Sequence, residues 1–95
     1  MNKYKLSNEA KDDLIRIRRY GAQKFGMAEA DKYFDTFFEY FDIIALRPYS
    51  FESVEYLKEG YRRCVCGSYS IYYKINDNTV EIMAIVGRQD LKNIL

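Results

Sequence analysis

The sequence contains neither histidine nor tryptophan. Histidine is the usual general base and the commonest metal ligand of proteins, so its absence removes Ser-His-Asp, Cys-His and most metal-dependent hydrolytic mechanisms. The sequence also lacks a Walker-type phosphate loop and a G-x-G-x-x-G segment, the glycine patterns that bind nucleotides in many folds. We therefore expect a protein without a metal site and without a cofactor.

Proline occurs once and glycine five times, whereas 48% of the 95 residues are apolar. This composition is typical of a folded globular chain and not of a linker. The chain is too short for two independent cores, so we expect one domain over residues 1–95. No apolar run approaches the roughly 18 residues of a membrane span, and the N-terminus turns polar too early for a signal peptide. We expect a cytoplasmic protein with no membrane partner.

A strong excess of either charge is also missing. Fifteen basic residues stand against fourteen acidic ones, for a net charge of +1. A dedicated binder of double-stranded DNA is usually more basic than this. The charges alternate along the chain, so any positive patch must be assembled by the fold. The balance favours a local site or a protein target over general nucleic-acid binding.

Cysteine is scarce too, with only Cys64 and Cys66. On a strand their side chains point the same way, about 6–7 Å apart. A disulfide needs Cβ atoms at roughly 3.8 Å, and a zinc site needs four ligands that this chain does not offer. We expect half-buried thiols in a reducing cytosol, with a redox or metal role as the less favoured alternative.

Two helices are predicted from the 3.6-residue period. Ser7 is the predicted N-cap of the first and Gly26 its C-cap, and the carboxylates of Asp12 and Asp13 fit the positive end of the helix dipole. The second helix is predicted over 28–46, ended by Pro48. A short connection makes the pair an antiparallel hairpin. Its apolar stripe contains Ala30, Phe34, Phe37, Phe38, Phe41, Ile44 and Ala45.

Strands are predicted at both ends of the chain. Residues 3–6 indicate a short first strand, and residues 48–60 indicate a connection with some apolar content, with one short helical turn as an option. Period-two patterns with tight turns then indicate three hairpin-linked strands over 61–66, 69–75 and 80–86. Alternation places Tyr61, Arg63 and Val65 on one face, opposite Arg62, Cys64 and Cys66. In the last strand it places Val80, Ile82, Ala84 and Val86 on one face.

The order of elements predicts a two-layer α+β fold: an N-terminal strand and an α-helical hairpin packed on an antiparallel β-meander. The aromatic face of the second helix should cover one side of the sheet. The other side stays open, and a function is expected there.

Several segments together resemble a known family. They are Y-K-L-S-x-x-A-x-x-D-L-x-x-I with later aromatic positions over 4–48, then "GYRR", "GSYSIYYKI" and "VEIMAIVGRQD". In this order they resemble the ParE-type toxins of the RelE/ParE superfamily over essentially the whole chain. The resemblance implies the same α-hairpin-on-sheet fold and the toxin role in a bacterial type II toxin–antitoxin system. It also implies a cognate antitoxin, ParD-like or another with a disordered C-terminal segment, in a higher-order complex.

The resemblance implies two alternative activities. ParE-like members inhibit DNA gyrase and have no chemistry of their own, whereas RelE-like members are ribosome-dependent mRNA endonucleases that need no metal. The RelE-like nucleases generally have an aromatic residue or a histidine near the C-terminus that acts as acid or base. No Tyr or His follows Arg88 in this sequence, and this departure from the RelE-like pattern favours gyrase inhibition. For a nuclease the candidate catalytic residues are Arg62, Arg63, Lys74 and Arg88, with a tyrosine to handle the proton. A third alternative is a toxin fold that binds antitoxin but has little toxicity.

For the gyrase inhibitor we expect two separate surfaces. The predicted target-binding residues are Tyr61, Arg62, Arg63, Arg88, Gln89 and Asp90. The predicted antitoxin-binding residues are Ile15, Arg19, Tyr20 and Tyr33, which fall outside the main core stripes.

Overall fold

The computed structural model of the chain describes residues 3–87. In chain order the elements are β1 (Tyr4–Leu6), α1 (Asn8–Phe25), α2 (Met27–Leu46), β2 (Glu52–Ser53), β3 (Arg62–Cys66), β4 (Tyr69–Asn76) and β5 (Thr79–Gly87). The strands form one sheet in the order β1-β5-β4-β3-β2. The two helices pack on the same side of it, which confirms the predicted two-layer α+β class.

The sheet is mixed because β1 runs parallel to β5, while the other three pairings are antiparallel. The predicted meander of three strands corresponds to β3, β4 and β5. Among the helices within residues 3–87, none is both long and apolar enough to cross a membrane.

Helix α1 begins and ends at the predicted residues. The Ala10 N–H donates to the Ser7 hydroxyl oxygen over 3.0 Å, which satisfies a free amide of the first turn. At the other end Gly26 has a φ of 89°, and its N–H donates to the Ala22 carbonyl oxygen over 3.1 Å. Glycine adopts this positive φ without the steric cost of a side chain. The chain can therefore turn from α1 into α2 at a single residue.

The core lies between the helices and the sheet. Phe37, Phe41 and Ile44 of α2 are fully buried against sheet residues, as the stripe predicts. Phe34 and Phe38 are only partly buried, because the apolar stripe is wider than the face that meets the sheet. The sheet contributes Ile71, Tyr73, Val80, Ile82 and Ile85, all at 0% exposure.

Strand β2 was not predicted from the sequence. Glu52 and Ser53 pair antiparallel with Arg63 and Arg62, inside the segment that we expected to be a connection without a strand. Two residues are too few to establish a visible alternation of polar and apolar side chains. The following Val54 is fully buried, and it holds the loop through a 2.8 Å hydrogen bond from its N–H to the Tyr61 carbonyl oxygen.

The prediction for the last strand is wrong beyond Ile82. Tyr72 pairs with Ala84 while Tyr73 pairs with Ile82, so Met83 is an extra residue in β5. Such a bulge inverts the alternation of the residues after it. Val80, Ile82 and Ile85 therefore face the helices, whereas Ala84 and Val86 lie on the other side. The prediction that this other side stays open is only partly right, because Val54, Tyr72 and Val86 are buried in a second small core there. We call it the open face, defined by Val54, Tyr61, Tyr72, Ala84 and Val86.

Candidate functional site

Arg62 and Arg63 lie on opposite faces of the sheet, as strand alternation predicts. Arg62 lies at the helix side, where its Nη1 donates to the Phe51 carbonyl oxygen over 2.7 Å. Arg63 lies on the open face, where its Nε donates to a Glu52 carboxylate oxygen over 2.7 Å. The Glu52 carboxylate, and secondarily the Tyr72 hydroxyl, raise the pKa of Arg63 above its ordinary value. The two arginines therefore do not form one continuous patch on a single face.

Arg62 has an exposed aromatic neighbour that sequence reasoning missed. Its guanidinium carbon lies 5.2 Å from the centre of the Tyr49 ring, and Tyr49 is 68% exposed. Both residues line a cavity of about 430 Å³, which we call the Arg62 pocket. The sequence gives only a weak signal for Tyr49, an aromatic directly after Pro48. The pocket is lined by Tyr49, Ser53, Glu55, Gly60, Tyr61, Arg62, Ile75 and Asp77.

The open face carries a second concave region of about 360 Å³, which we call the open-face groove. Tyr61 lines both this groove and the Arg62 pocket, so it links the two sides of β3. The ammonium of Lys58 lies 5.3 Å from the centre of the Tyr61 ring. The groove is lined by Glu9, Asp13, Leu57, Lys58, Tyr61, Tyr72, Ala84 and Val86.

Among the predicted nuclease residues, Arg62, Arg63 and Lys74 do not all lie on one face of the sheet, and Arg88 lies outside the described residues. Lys74 is half-buried on β4, opposite Glu81 of β5, and Arg62 points to the other side of the sheet from Arg63. Tyr73, the strand partner of Arg62, donates its hydroxyl to the Pro48 carbonyl oxygen over 2.7 Å. Burial raises the pKa of Tyr73 to about 12. This tyrosine is therefore unsuited to proton transfer near neutral pH.

Cys64 and Cys66 are free thiols with 2% and 1% exposure, more deeply buried than expected. Burial raises the pKa of both thiols to about 11. Since the thiolate is the reactive form of cysteine, these side chains act as small core residues at neutral pH. Within residues 3–87 no group of three or more Cys, Asp or Glu residues is arranged to hold a metal ion.

A third concave region, the hairpin groove, runs along the helices near the turn between them. Its volume is about 250 Å³, and Tyr20 and Phe25 line it with 46% and 63% exposure. Phe25 was missed by the sequence analysis, although its position before Gly26 marks it as a helix-end residue. The groove is lined by Ile17, Arg18, Tyr20, Gly21, Phe25, Glu29, Ala30, Tyr33, Phe34, Ser68 and Tyr69.

Two of the four predicted antitoxin-binding residues line this groove. Tyr20 is exposed as expected, but Tyr33 is half-buried because it stacks on Phe37 with ring centres 5.2 Å apart. Ile15 and Arg19 are exposed on α1 and do not line the groove.

Three of the predicted target-binding residues, Arg88, Gln89 and Asp90, lie outside the described residues.

Comparison with known proteins identifies the family. The model of the ParE toxin of the parDE type II toxin–antitoxin system matches residues 4–91. Toxin ParE1 of Caulobacter vibrioides is 35% identical over 86 residues, which cover 90% of this chain and 88% of that protein. A chain of the chromosomal ParDE system from P. aeruginosa has the same fold, with a TM-score of 0.81 at 17% identity, over 92% of this chain and 96% of that one. The chain belongs to the family of ParE toxins of type II toxin–antitoxin systems.

Proposed function

We propose that this toxin inhibits DNA gyrase, and so replication, in the cytoplasm, and that a cognate ParD-like antitoxin neutralises it by direct binding. The observation that carries the gyrase proposal is the arrangement of the cations on β3. Arg62 and Arg63 point to opposite faces and each is engaged by a neighbour. Two arginines on opposite faces are poorly placed to act together on one phosphate group, which favours contacts to a protein over cleavage of RNA.

The Arg62 pocket has the composition of a protein-binding surface. Arginine and tyrosine are the residue types that most often dominate protein–protein affinity. Here Arg62 stacks on the exposed ring of Tyr49, and Tyr61 lies beside them. Glu55 and Asp77 also line the pocket, so its charge is mixed. A pocket with both signs of charge attracts a polyanion such as RNA less strongly than a uniformly basic pocket does.

We expect Arg62→Ala to reduce growth arrest strongly when the toxin is expressed without antitoxin, because truncating an arginine that is a hot spot of an interface costs about 2 kcal/mol or more of binding. Arg88→Ala is the companion variant from the segment outside the described residues. Growth curves at matched protein levels measure the effect. Full toxicity of both variants, with normal expression, would contradict the proposed target surface.

The antitoxin is assigned to the hairpin groove. The groove is mainly apolar, and the exposed rings of Tyr20 and Phe25 lie on its wall. An apolar groove between helices suits the apolar face of a segment that folds on binding. Ile15 and Arg19 extend this surface along the outside of α1. One antitoxin segment that crosses both the hairpin groove and the outside of α1 would cover the helical hairpin, within a higher-order toxin–antitoxin complex.

We expect Tyr20→Ala to weaken antitoxin binding by about tenfold and leave toxicity intact, because Tyr20 lines the hairpin groove and not the Arg62 pocket. Tyr56→Ala is the matched control, since Tyr56 is 78% exposed and does not line the hairpin groove. Titration calorimetry with the antitoxin measures the affinity. Equal affinities of the wild-type protein and Tyr20→Ala would place the antitoxin elsewhere.

A further inference from the structure

Beyond the end of β1, backbone groups of β5 lie at the edge of the sheet without a strand partner among residues 3–87. β1 pairs with β5 only from Val80 to Ile82, so beyond Ile82 this edge has no neighbouring strand among residues 3–87. Two side chains bind backbone groups of β5 in place of a neighbouring strand, one from the N-cap of α1 and one from within α1. The Ser7 hydroxyl donates to the Met83 carbonyl oxygen over 2.9 Å, and the Ile85 N–H donates to a carboxylate oxygen of Asp13 over 2.9 Å. Backbone groups that a strand would pair are thus bound by side chains.

The Asp13 carboxylate is held firmly in this position. Its side chain is 17% exposed, and its second oxygen accepts a 3.1 Å hydrogen bond from the Arg16 guanidinium. Hydrogen bonds to an ionised acceptor are roughly twice as strong as neutral ones. Compensation of the helix dipole, which the sequence suggested for Asp12 and Asp13 alike, therefore does not account for the role of Asp13. Asp12 in the same turn is exposed.

The bulge decides which side chains reach the open face. In a regular strand, residues three apart point to opposite sides. Because Met83 is extra, Ile82 and Ile85 both enter the core beneath the helices. Ala84 and Val86 instead pack on the open face beside Tyr72. Without the bulge, the floor of the open-face groove would consist of different residues.

We propose that Asp13 is a positioning residue for the target-binding surface. By binding the Ile85 N–H it fixes the bulge, and the bulge sets the groove floor beside Tyr61. This inference rests on the proposed function, because it assumes that the surface around Tyr61 contacts the target. It does not concern the hairpin groove, whose lining includes neither Asp13 nor any residue of β5.

The test compares Asp13→Ala, Asp13→Asn and the control Asp12→Ala. Asparagine keeps a carbonyl oxygen that can accept from the Ile85 N–H, whereas alanine has no acceptor. We expect Asp13→Ala to raise the concentration for half-inhibition of gyrase supercoiling about tenfold, with faster hydrogen exchange of the Ile85 amide. Asp13→Asn should restore most of both properties. Asp12→Ala should match the wild-type protein, and antitoxin affinity should be unchanged in all three variants.

Two results would overturn the inference. One is full inhibition by an Asp13→Ala protein whose Ile85 amide exchanges freely, because the bulge would then not need this bond to present the surface. The other is an equal loss of antitoxin affinity and inhibition with a lowered melting temperature, which would make Asp13 a general stability residue. Growth arrest is measured in parallel. A wild-type protein that arrests growth without inhibiting gyrase would disprove the gyrase target, and the growth assay would still test Asp13.

Discussion

Replacing Phe37 with alanine is expected to lower the free energy of unfolding by about 3–5 kcal/mol, because this ring is fully buried. It stacks on Tyr33 at 5.2 Å and meets Tyr69 edge-on at 5.7 Å, so its removal opens a cavity at the centre of the helix–sheet interface. A small domain has a total stability of about 5–15 kcal/mol. The variant is therefore expected to be partly unfolded at growth temperature, and any loss of toxicity in it would report folding.

Urea unfolding followed by circular dichroism measures this change, with the slope of the transition as a check on two-state behaviour. Phe25→Ala is the control, since Phe25 is 63% exposed and its replacement should change stability by no more than about 0.5 kcal/mol. The loss of stability in Phe38→Ala should lie between those of Phe37→Ala and Phe25→Ala, because Phe38 is partly buried. A loss below about 1 kcal/mol for Phe37→Ala would contradict the described core.

The stability of the fold is expected to fall by about 3 kcal/mol between pH 7.5 and pH 10, because Cys64 and Cys66 are buried as thiols. Burial raises the pKa of both thiols from the ordinary value of 9.0, which applies to the unfolded chain, to about 11. Between these values the unfolded chain has lost protons that the folded protein keeps. Fewer bound protons in the unfolded state mean that stability decreases as the pH rises. The thiol contribution is complete below about pH 8.

Urea unfolding at intervals across this pH range measures the slope. The double variant Cys64→Ala, Cys66→Ala is the control, since it starts from a lower stability because of its cavities but has no thiol to ionise. The free energy of unfolding of this double variant should fall much less between pH 7.5 and pH 10 than that of the wild-type protein. Parallel curves for the two proteins would mean that the thiols are not the source of the effect.

Much of the fold could be predicted from short-range patterns. Ser7, Gly26 and Pro48 start or end a helix through local effects on the backbone. Both helices therefore begin and end within one residue of the predicted positions. Strand β2 and the bulge at Met83 depend instead on contacts that are distant in sequence. The bulge is held by hydrogen bonds to Ser7 and Asp13, which lie more than 70 positions away in the chain. No period within β5 could have revealed it.

The site shows the same division between local and distant information. Strand alternation correctly placed Arg62 and Arg63 on opposite faces. The stacking of Arg62 on Tyr49 could not be predicted, because the two residues meet only when the loop after α2 folds back against β3. The partial burial of Tyr33 was also missed, since this ring lies beside the core stripe of α2 and contacts Phe37 and Tyr69.

Inhibition of gyrase by this toxin can be tested with purified components. The toxin is titrated into a supercoiling reaction with gyrase and relaxed plasmid, and in parallel into a translation reaction with ribosomes and a defined mRNA. We predict concentration-dependent loss of supercoiling, reversed by the antitoxin and weakened by Arg62→Ala, with the mRNA intact. Codon-specific cleavage of the mRNA together with undisturbed supercoiling would disprove gyrase inhibition and identify the toxin as a ribosome-dependent endonuclease.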